Sequence, residues 1–96
     1  MIILVTYDVD TTSPEGQRRL RHVAKECMNY GQRVQNSVFE CVVDLTQFTQ
    51  LKMNLKGIIS EDIDSIRFYR LGKNYETKVE TLGVKKGVNI QGELII

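Results

Sequence analysis

The spacing of apolar residues in the first third of the chain predicts a strand followed by a helix. Residues 2–9 are apolar or β-branched at almost every position, which is typical of a strand buried on both faces at the centre of a sheet. Beyond a polar loop, apolar residues recur at helical spacing until Gly31, a natural helix end. Either Ser13, with a proline in the first turn, or Thr12, with a glutamate three residues later, caps the start of this helix. Its buried stripe comprises Leu20, Val23, Ala24 and Cys27.

The middle of the chain predicts a hairpin, a second helix and a further strand. Residues 32–44 have strand character throughout but exceed the usual strand length, so we place a turn near Asn36-Ser37. A helix is predicted from about Thr46 and a strand from Ile63 to Leu71. The stripe that the second helix buries comprises Phe48, Leu51, Leu55, Ile58 and Ile59.

The order of these elements is strand, helix, strand, strand, helix, strand. This is the plan of the α+β ferredoxin-like sandwich, and we assign residues 1–72 to such a core. Another strand candidate, Glu76 to Leu82, has no position in that plan. We therefore expect residues 73–96 to form an extra C-terminal strand and tail that contribute to dimerisation or to partner binding.

Composition changes this picture little, but it sets the class of protein. The chain has 96 residues, 42% hydrophobic and 26% charged, which fits one globular domain. Two cysteines are too few for a disulfide framework, so a reducing compartment is expected. The N-terminus lacks the basic region of a signal peptide, and no apolar run approaches the roughly 20 residues that span a bilayer. We expect a cytoplasmic protein without membrane contact.

One carboxylate is a candidate metal ligand. Asp8 closes the first strand, and ligands of open α/β sheets bind where central strands end. A carboxylate there suits a hard cation such as Mg²⁺, although Asp8 could instead merely begin the following turn. A single carboxylate holds magnesium poorly, and a two-fold dimer that pairs two copies of Asp8 would remove this objection. Asp10 is a weaker candidate.

Positive charge concentrates around the first helix. Residues 17–33 contain five cationic residues against one anionic residue, a net charge of +4 in a chain whose total is +1. Arginine predominates, and its planar guanidinium suits phosphate. This segment is either an ordinary solvated helix face or a track for a nucleic-acid backbone. The five cationic residues are Arg18, Arg19, Arg21, Lys25 and Arg33.

Other candidate chemistry favours structural roles. His22 falls on the outer face of the first helix, so a solvated surface residue is expected rather than a base. Cys27 and Cys41 lie in apolar patterns and are expected in the core. Tyr7 and Phe39 could stack against a nucleotide, but a core position is the default. Phosphate loops, zinc spacings and a Ser-His-Asp order are absent from the sequence.

Four segments together resemble a known family. They are IILVTYDV, RRLRHVAKECMNYG, GQRVQNSVFECVVD and IRFYRLG, and the match extends over residues 1–72. These segments are similar to the small CRISPR-associated endonuclease family that partners the CRISPR integrase in spacer acquisition. The pair "YDV" at the end of the first strand and "RVQNSVFE" after the first helix is the most specific part of the resemblance.

The resemblance implies a ferredoxin-like homodimer in which the late strand of one subunit joins the partner's sheet. It implies that Asp8 is the catalytic residue and the magnesium ligand, facing its twin across the dimer interface. It further implies that nucleic acid contacts Arg33 and helix arginines, with the choice among the latter left open, and that other motif residues line the cleft. These candidates are Arg18, Arg19 and Arg21 on the helix, and Tyr7, Ser37 and Phe39 in the cleft.

The resemblance leaves two functions open, because members of the family differ in activity. One is a magnesium-dependent endonuclease of the CRISPR adaptation machinery, acting on DNA or RNA. The other is a DNA-binding adaptor for the CRISPR integrase in which catalysis is dispensable. Outside the family, an RNA-binding module lacks its aromatic signature here, since VFECVV supplies one aromatic residue and no glycine. A toxin-type ribonuclease of related fold is a further alternative.

Overall fold

The computed structural model describes residues 1–72 and 77–84, which form five strands and two helices. The predicted order of elements is confirmed. Within the described residues, no helix is long and apolar enough to cross a membrane. The elements are β1 Ile2–Asp8, α1 Pro14–Met28, β2 Gly31–Gln35, β3 Val38–Val42, α2 Leu45–Ile58, β4 Ser65–Leu71 and β5 Thr77–Gly83.

The described strands form one antiparallel sheet in the order β2-β3-β1-β4-β5. The predicted ferredoxin-like arrangement is confirmed, with β1 at the centre as its apolar sequence indicates. Val5 of β1 lies opposite Phe39 on one side and Phe68 on the other. The hairpin turns at Asn36 and Ser37, as predicted.

Local capping explains where the helices begin. Of the two predicted caps of α1, Ser13 is correct, since its hydroxyl accepts a hydrogen bond from the Gly16 N–H at 3.1 Å. Asp44 caps α2, and its carboxylate accepts from the Gln47 N–H at 2.7 Å while the Gln47 side chain accepts from the Asp44 N–H. This capping box starts α2 one residue before the predicted Thr46.

Both helices pack on the same face of the sheet. Phe48 of α2 meets Phe68 of β4 edge-to-face, with ring centroids 5.6 Å apart. The two cysteines are fully buried in this core, as predicted. The other fully buried side chains of the core are Ile3, Val5, Val23, Phe39, Phe48, Leu51, Leu55 and Ile66, with Phe68 1% exposed.

The strand predicted from Glu76 to Leu82 is confirmed as β5. Within the single chain it pairs with β4 from Leu71–Thr77 to Ser65–Gly83. The addition of this strand to a partner's sheet, which the resemblance implies, stays a prediction. Only residues 72–76 connect the paired ends, and a connection this short suits a hairpin. The remainder of the tail, residues 85–96, lies outside the described residues, so its role stays a prediction.

Side chains also attach β5 to the helix layer. The Lys52 ammonium of α2 lies 2.8 Å from a carboxylate oxygen of Glu80, and the Arg70 guanidinium of β4 lies 3.8 Å from the other oxygen. Lys52 is 4.4 Å from the centroid of the Phe48 ring, a cation–π contact. The placement of β5 on its own chain therefore has support beyond the strand pairing.

The second face of the sheet carries apolar side chains away from the helices. Successive residues of a strand point to opposite faces, so Ile2, Leu4 and Asp8 oppose the helix side. Ile2 is 39% exposed, and its neighbour Val42 on β3 is 70% exposed. Leu4 is buried but does not belong to the core cluster on the helix side. We call this surface the open face.

Candidate functional site

Asp8 is the last residue of β1 and lies at one end of the central strand. It is exposed and stands opposite Ser65 of β4 in the strand register. Its side chain belongs to the open face, since Tyr7 before it packs into the core. The predicted ligand position at the end of the first strand is thus accessible to solvent.

The predicted cleft residues meet beside Asp8, around the turn between β2 and β3. The Tyr7 N–H donates to the Ser37 carbonyl at 3.1 Å, and the Tyr7 hydroxyl donates to the Asn36 carbonyl at 3.3 Å. Arg33 donates to that same carbonyl at 2.7 Å from Nη1, and its Cζ lies 5.0 Å from the centroid of the Phe39 ring. These contacts fix the end of β1 that carries Asp8. We call the residues that make these contacts the turn cluster: Tyr7, Arg33, Asn36, Ser37 and Phe39.

The two aromatic residues of the turn cluster belong to the core. Phe39 is fully buried and Tyr7 nearly so, with ring centroids 6.1 Å apart. Burial raises the pKa of Tyr7, and the nearby Arg33 guanidinium opposes this shift. The core interpretation is therefore correct for both rings. The guanidinium of Arg33 over Phe39 leaves that ring no face for stacking on a nucleotide.

A buried ion pair behind Asp8 was not predicted. Asp64 is fully buried, and Arg19 Nε donates to its Oδ2 at 2.7 Å. The backbone N–H groups of Asp10 and Ser60 donate to the same carboxylate, each at 2.9 Å. Burial alone would raise the pKa of Asp64, but the hydrogen bonds from Arg19 and these backbone groups outweigh it, so the pKa is lowered.

The turn around Asp64 also shortens the predicted strand from Ile63 to Leu71. The backbone N–H groups of Ile63 and Asp64 donate to the Ser60 carbonyl, at 3.1 and 2.8 Å. Because both groups are used in this turn, β4 begins at Ser65. The sequence signal for this buried pair was an aspartate with an isoleucine on either side, at positions 63 and 66. Its partner Arg19 lies 45 residues away, so the local pattern does not indicate the pairing.

The helix arginines separate into two kinds. Arg18 and Arg21 are exposed on α1, together with Lys25 and with His22 as predicted. We call Arg18, Arg21 and Lys25 the basic ridge, since their spacing places them along one side of the helix. Arg19 is only 18% exposed, and its side chain is engaged with Asp64. Its position therefore differs from that of the other predicted nucleic-acid contacts.

The cysteines have no features of a reactive thiol. Burial raises the pKa of Cys27 to about 12, and the nearby Cys41 and Glu26 add to the shift. Burial raises the pKa of Cys41 to about 11, with a smaller contribution from Glu40. Because the thiolate is the nucleophile and the metal ligand, both groups are inert near neutral pH.

The donors for a metal ion are few. Among residues 1–72 and 77–84, no group of three or more His, Cys, Asp or Glu side chains could hold one. The Asp10 carboxylate accepts hydrogen bonds from the N–H and hydroxyl of Thr12, at 2.9 and 2.6 Å. Asp64 is buried against Arg19. Since Mg²⁺ keeps several waters and takes one or two carboxylates, exposed Asp8 carboxylates from two chains fit it better than one chain does.

Known proteins resemble this chain over its whole length. The sequence profile of the family described as "CRISPR associated protein Cas2" matches residues 1–79. The chain is 59% identical over 95 residues to the "CRISPR-associated endonuclease Cas2" of Halalkalibacterium halodurans, with 99% of each chain covered. It is 51% identical over 96 residues to the "CRISPR-associated endoribonuclease Cas2" of Chlorobaculum tepidum, with 100% of each covered. The crystal structure of Streptococcus pyogenes Cas2 matches with a TM-score of 0.72 and 63% identity, covering 78% of this chain and 90% of that one.

Proposed function

This chain belongs to the CRISPR-associated Cas2 family, and from that premise we propose that it is a magnesium-dependent endonuclease of the CRISPR adaptation machinery. Its relatives are named endonucleases or endoribonucleases, which supports a nuclease role. Hydrolysis of phosphodiester bonds in DNA or RNA is the proposed reaction. Family membership also disfavours the RNA-binding module and the toxin-type ribonuclease.

The observation that carries this proposal is the position of Asp8. It is exposed at the end of the central strand, on the open face and beside the turn cluster. The hydrogen bond from Tyr7 to Ser37 holds the strand end against β3. A carboxylate held on a rigid element, next to a surface that a ligand can reach, is the arrangement that a metal-dependent hydrolase needs.

We propose that the active form is a two-fold dimer that brings the two Asp8 side chains together. The apolar open face supports this, because a partner would bury exposed Ile2 and Val42. Two Asp8 carboxylates would then hold the ion. When bound, Mg²⁺ supplies an activated water and stabilises negative charge on the phosphate. The residues of this chain supply the carboxylates and the basic surface that positions the backbone.

The proposed nucleic-acid surface is the basic ridge of α1. Arg18, Arg21 and Lys25 are exposed cations that suit phosphate oxygens, and Arg33 adds a further cation within the turn cluster. Contacts of this kind carry little sequence information.

We propose duplex DNA as the main ligand, with RNA as the other substrate, and the CRISPR integrase as the protein partner. The proposed setting is cytoplasmic, where two buried free thiols remain reduced.

A second candidate function is the DNA-binding adaptor for the integrase. The observation that favours it is that the basic ridge lies on a helix whose cations do not depend on Asp8 for their position. Binding and cleavage are therefore separable in this fold. In the adaptor, the ridge would hold duplex DNA and the metal site would be dispensable.

The test of the proposed function is purified protein with Asp8→Ala beside wild type, on duplex DNA and on single-stranded RNA, with and without Mg²⁺. We expect magnesium-dependent cleavage by wild type and none by Asp8→Ala. The control is Asp62→Ala, which removes another exposed carboxylate. Cleavage that is equal in all three proteins would refute the assignment, and binding without cleavage by wild type would favour the adaptor.

A further inference from the structure

We propose that Asp64 is a positioning residue for Asp8: its buried carboxylate fixes the loop after β1 and so sets the direction of the metal-binding side chain. The inference rests on the proposed function of Asp8 as the magnesium ligand. It assigns a role to a buried acidic residue that belongs to neither the turn cluster nor the basic ridge.

Asp64 joins two loops and a helix. Its Oδ1 accepts the Asp10 N–H at 2.9 Å, and its Oδ2 accepts the Ser60 N–H at 2.9 Å and Arg19 Nε at 2.7 Å. A further guanidinium nitrogen of Arg19 lies 3.4 Å from Oδ1. The carboxylate thus links the loop after β1, the loop before β4 and α1. A fully buried carboxylate with this many donors has one preferred orientation, since any rotation leaves donors unpaired.

The loop after Asp8 is fixed at three points around Asp10. Its N–H is held by Asp64, and its carboxylate accepts from the N–H and hydroxyl of Thr12. Its carbonyl lies so close to Gly16 of α1 that a methyl group there would clash with it. Asp10 is two residues from Asp8, so these constraints define the backbone on the C-terminal side of the ligand. The turn cluster defines it on the other side.

The main chain of Asp64 connects the same point to β5. Its carbonyl accepts the Val84 N–H at 2.9 Å. Gly83, whose φ is +87°, lies against that carbonyl, and a side chain at this position would overlap it. In the strand register Gly83 lies opposite Ser65, which in turn lies opposite Asp8. One residue therefore connects the end of β5 with the loop behind the candidate site.

The substitution that tests the proposal is Asp64→Asn, which keeps the shape but removes the charge and one oxygen acceptor. The probe is Mn²⁺ alone, followed by the broadening of backbone amide signals of Asp8 and Val9, which needs no cleavage. We expect Asp64→Asn to raise the half-saturating Mn²⁺ concentration about 10–100-fold, the usual cost of losing a residue that orients a ligand. The Mg²⁺ concentration that gives half-maximal cleavage should rise in parallel, with the Kd for duplex DNA unchanged.

Two variants accompany it. Asp62→Asn removes an exposed carboxylate from the same loop and should leave metal binding at the wild-type value. The double variant Arg19→Gln with Asp64→Asn removes both charges, so it keeps the experiment interpretable if the single variant fails to fold. It should show the same loss of metal affinity. All measurements are made at a temperature where circular dichroism shows each protein folded.

The proposal is overturned if Asp64→Asn lowers thermal stability while half-saturation by Mn²⁺ stays at the wild-type value. It is also overturned, whatever the activity, if hydrogen exchange at the Asp10 amide is unchanged, because the hydrogen bond to Asp64 would then not restrain the loop. Failure of the proposed function looks different: wild type itself would neither cleave nor show Mn²⁺ broadening at Asp8. In that case faster exchange at Asp10 in the variant would still support the positioning of the loop.

Discussion

Among single residues, the arginines of α1 show how one structural contact separates neighbours that are identical in the sequence. Arg18 is exposed, whereas Arg19 is engaged with fully buried Asp64. Removing one partner of a buried ion pair leaves an uncompensated charge and costs about 3–5 kcal/mol. Arg19→Ala should therefore lower the free energy of unfolding by about this amount, measured by urea denaturation. The matched control Arg18→Ala should stay within about 0.5 kcal/mol of wild type, and equal losses would contradict the assignment.

Acid provides an independent measurement on the same pair. The pKa of Asp64 is lowered in the folded state by the hydrogen bonds from Arg19 and two backbone groups, which outweigh burial. A group whose folded pKa is lowered contributes stability that is fully present above its unfolded pKa and is lost as pH falls through the folded pKa. The stability difference between wild type and Asp64→Asn should therefore shrink as pH falls below the usual range of aspartate. If the stability difference between the two proteins stayed constant as pH fell through and below that range, the charge of Asp64 would not stabilise the fold.

Gly83 is a single residue that determines how an element ends, since it is the last residue of β5. Its φ of +87° and its contact with the Asp64 carbonyl exclude a side chain. Gly83→Ala should lower the free energy of unfolding by about 1–3 kcal/mol or more, the cost of a strained backbone. The control is Gly57→Ala in α2, where a methyl group meets nothing within 4 Å. It should stabilise the protein by up to about 1 kcal/mol, because alanine favours a helix. Similar effects from the two substitutions would show that the end of β5 does not pack as described.

At the level of elements, the order of strands and helices could be predicted, because apolar periodicity reports which face of an element is buried. Residues 2–9 and the stripe of α2 are examples, and β1 and α2 occupy the expected positions. The side of the sheet to which β5 adds could not be predicted, since periodicity does not specify a pairing partner. Asp8 is exposed, and its role as a metal ligand stays a prediction. The burial of Asp64 was missed because its donors Arg19 and Asp10 are distant in sequence.

The basic ridge of α1 makes a separate prediction about binding. Arg18→Ala with Arg21→Ala should weaken binding to unrelated DNA duplexes about equally, since phosphate contacts carry little sequence information. The dependence of log Kd on log salt should lose about one unit of slope for each arginine that contacts phosphate. Fluorescence anisotropy over a salt series measures both quantities. Lys56→Ala, an exposed cation on α2, is the control. Unchanged affinity in the double variant would exclude the ridge as the binding surface.

For the whole molecule, the central question is how the single carboxylate that each chain brings to the candidate site, Asp8, could support the proposed hydrolysis. The open face offers an apolar surface with Asp8 at one end, and the described residues of one chain contain no other group of metal ligands. A two-fold dimer would bury that surface and supply the second carboxylate. Dimerisation would then be required for catalysis and would not only stabilise the fold.

Mixed dimers test this claim most directly, with Asp8→Asn in both subunits, in one subunit or in neither. Asparagine keeps the shape of the side chain, so dimerisation and DNA binding should stay nearly unchanged, as checked by light scattering and anisotropy. We predict magnesium-dependent cleavage by the wild-type dimer alone, because both carboxylates hold one ion. Half the wild-type activity in the mixed dimer would show that each subunit acts by itself, and full activity in the doubly substituted dimer would contradict a catalytic role for Asp8.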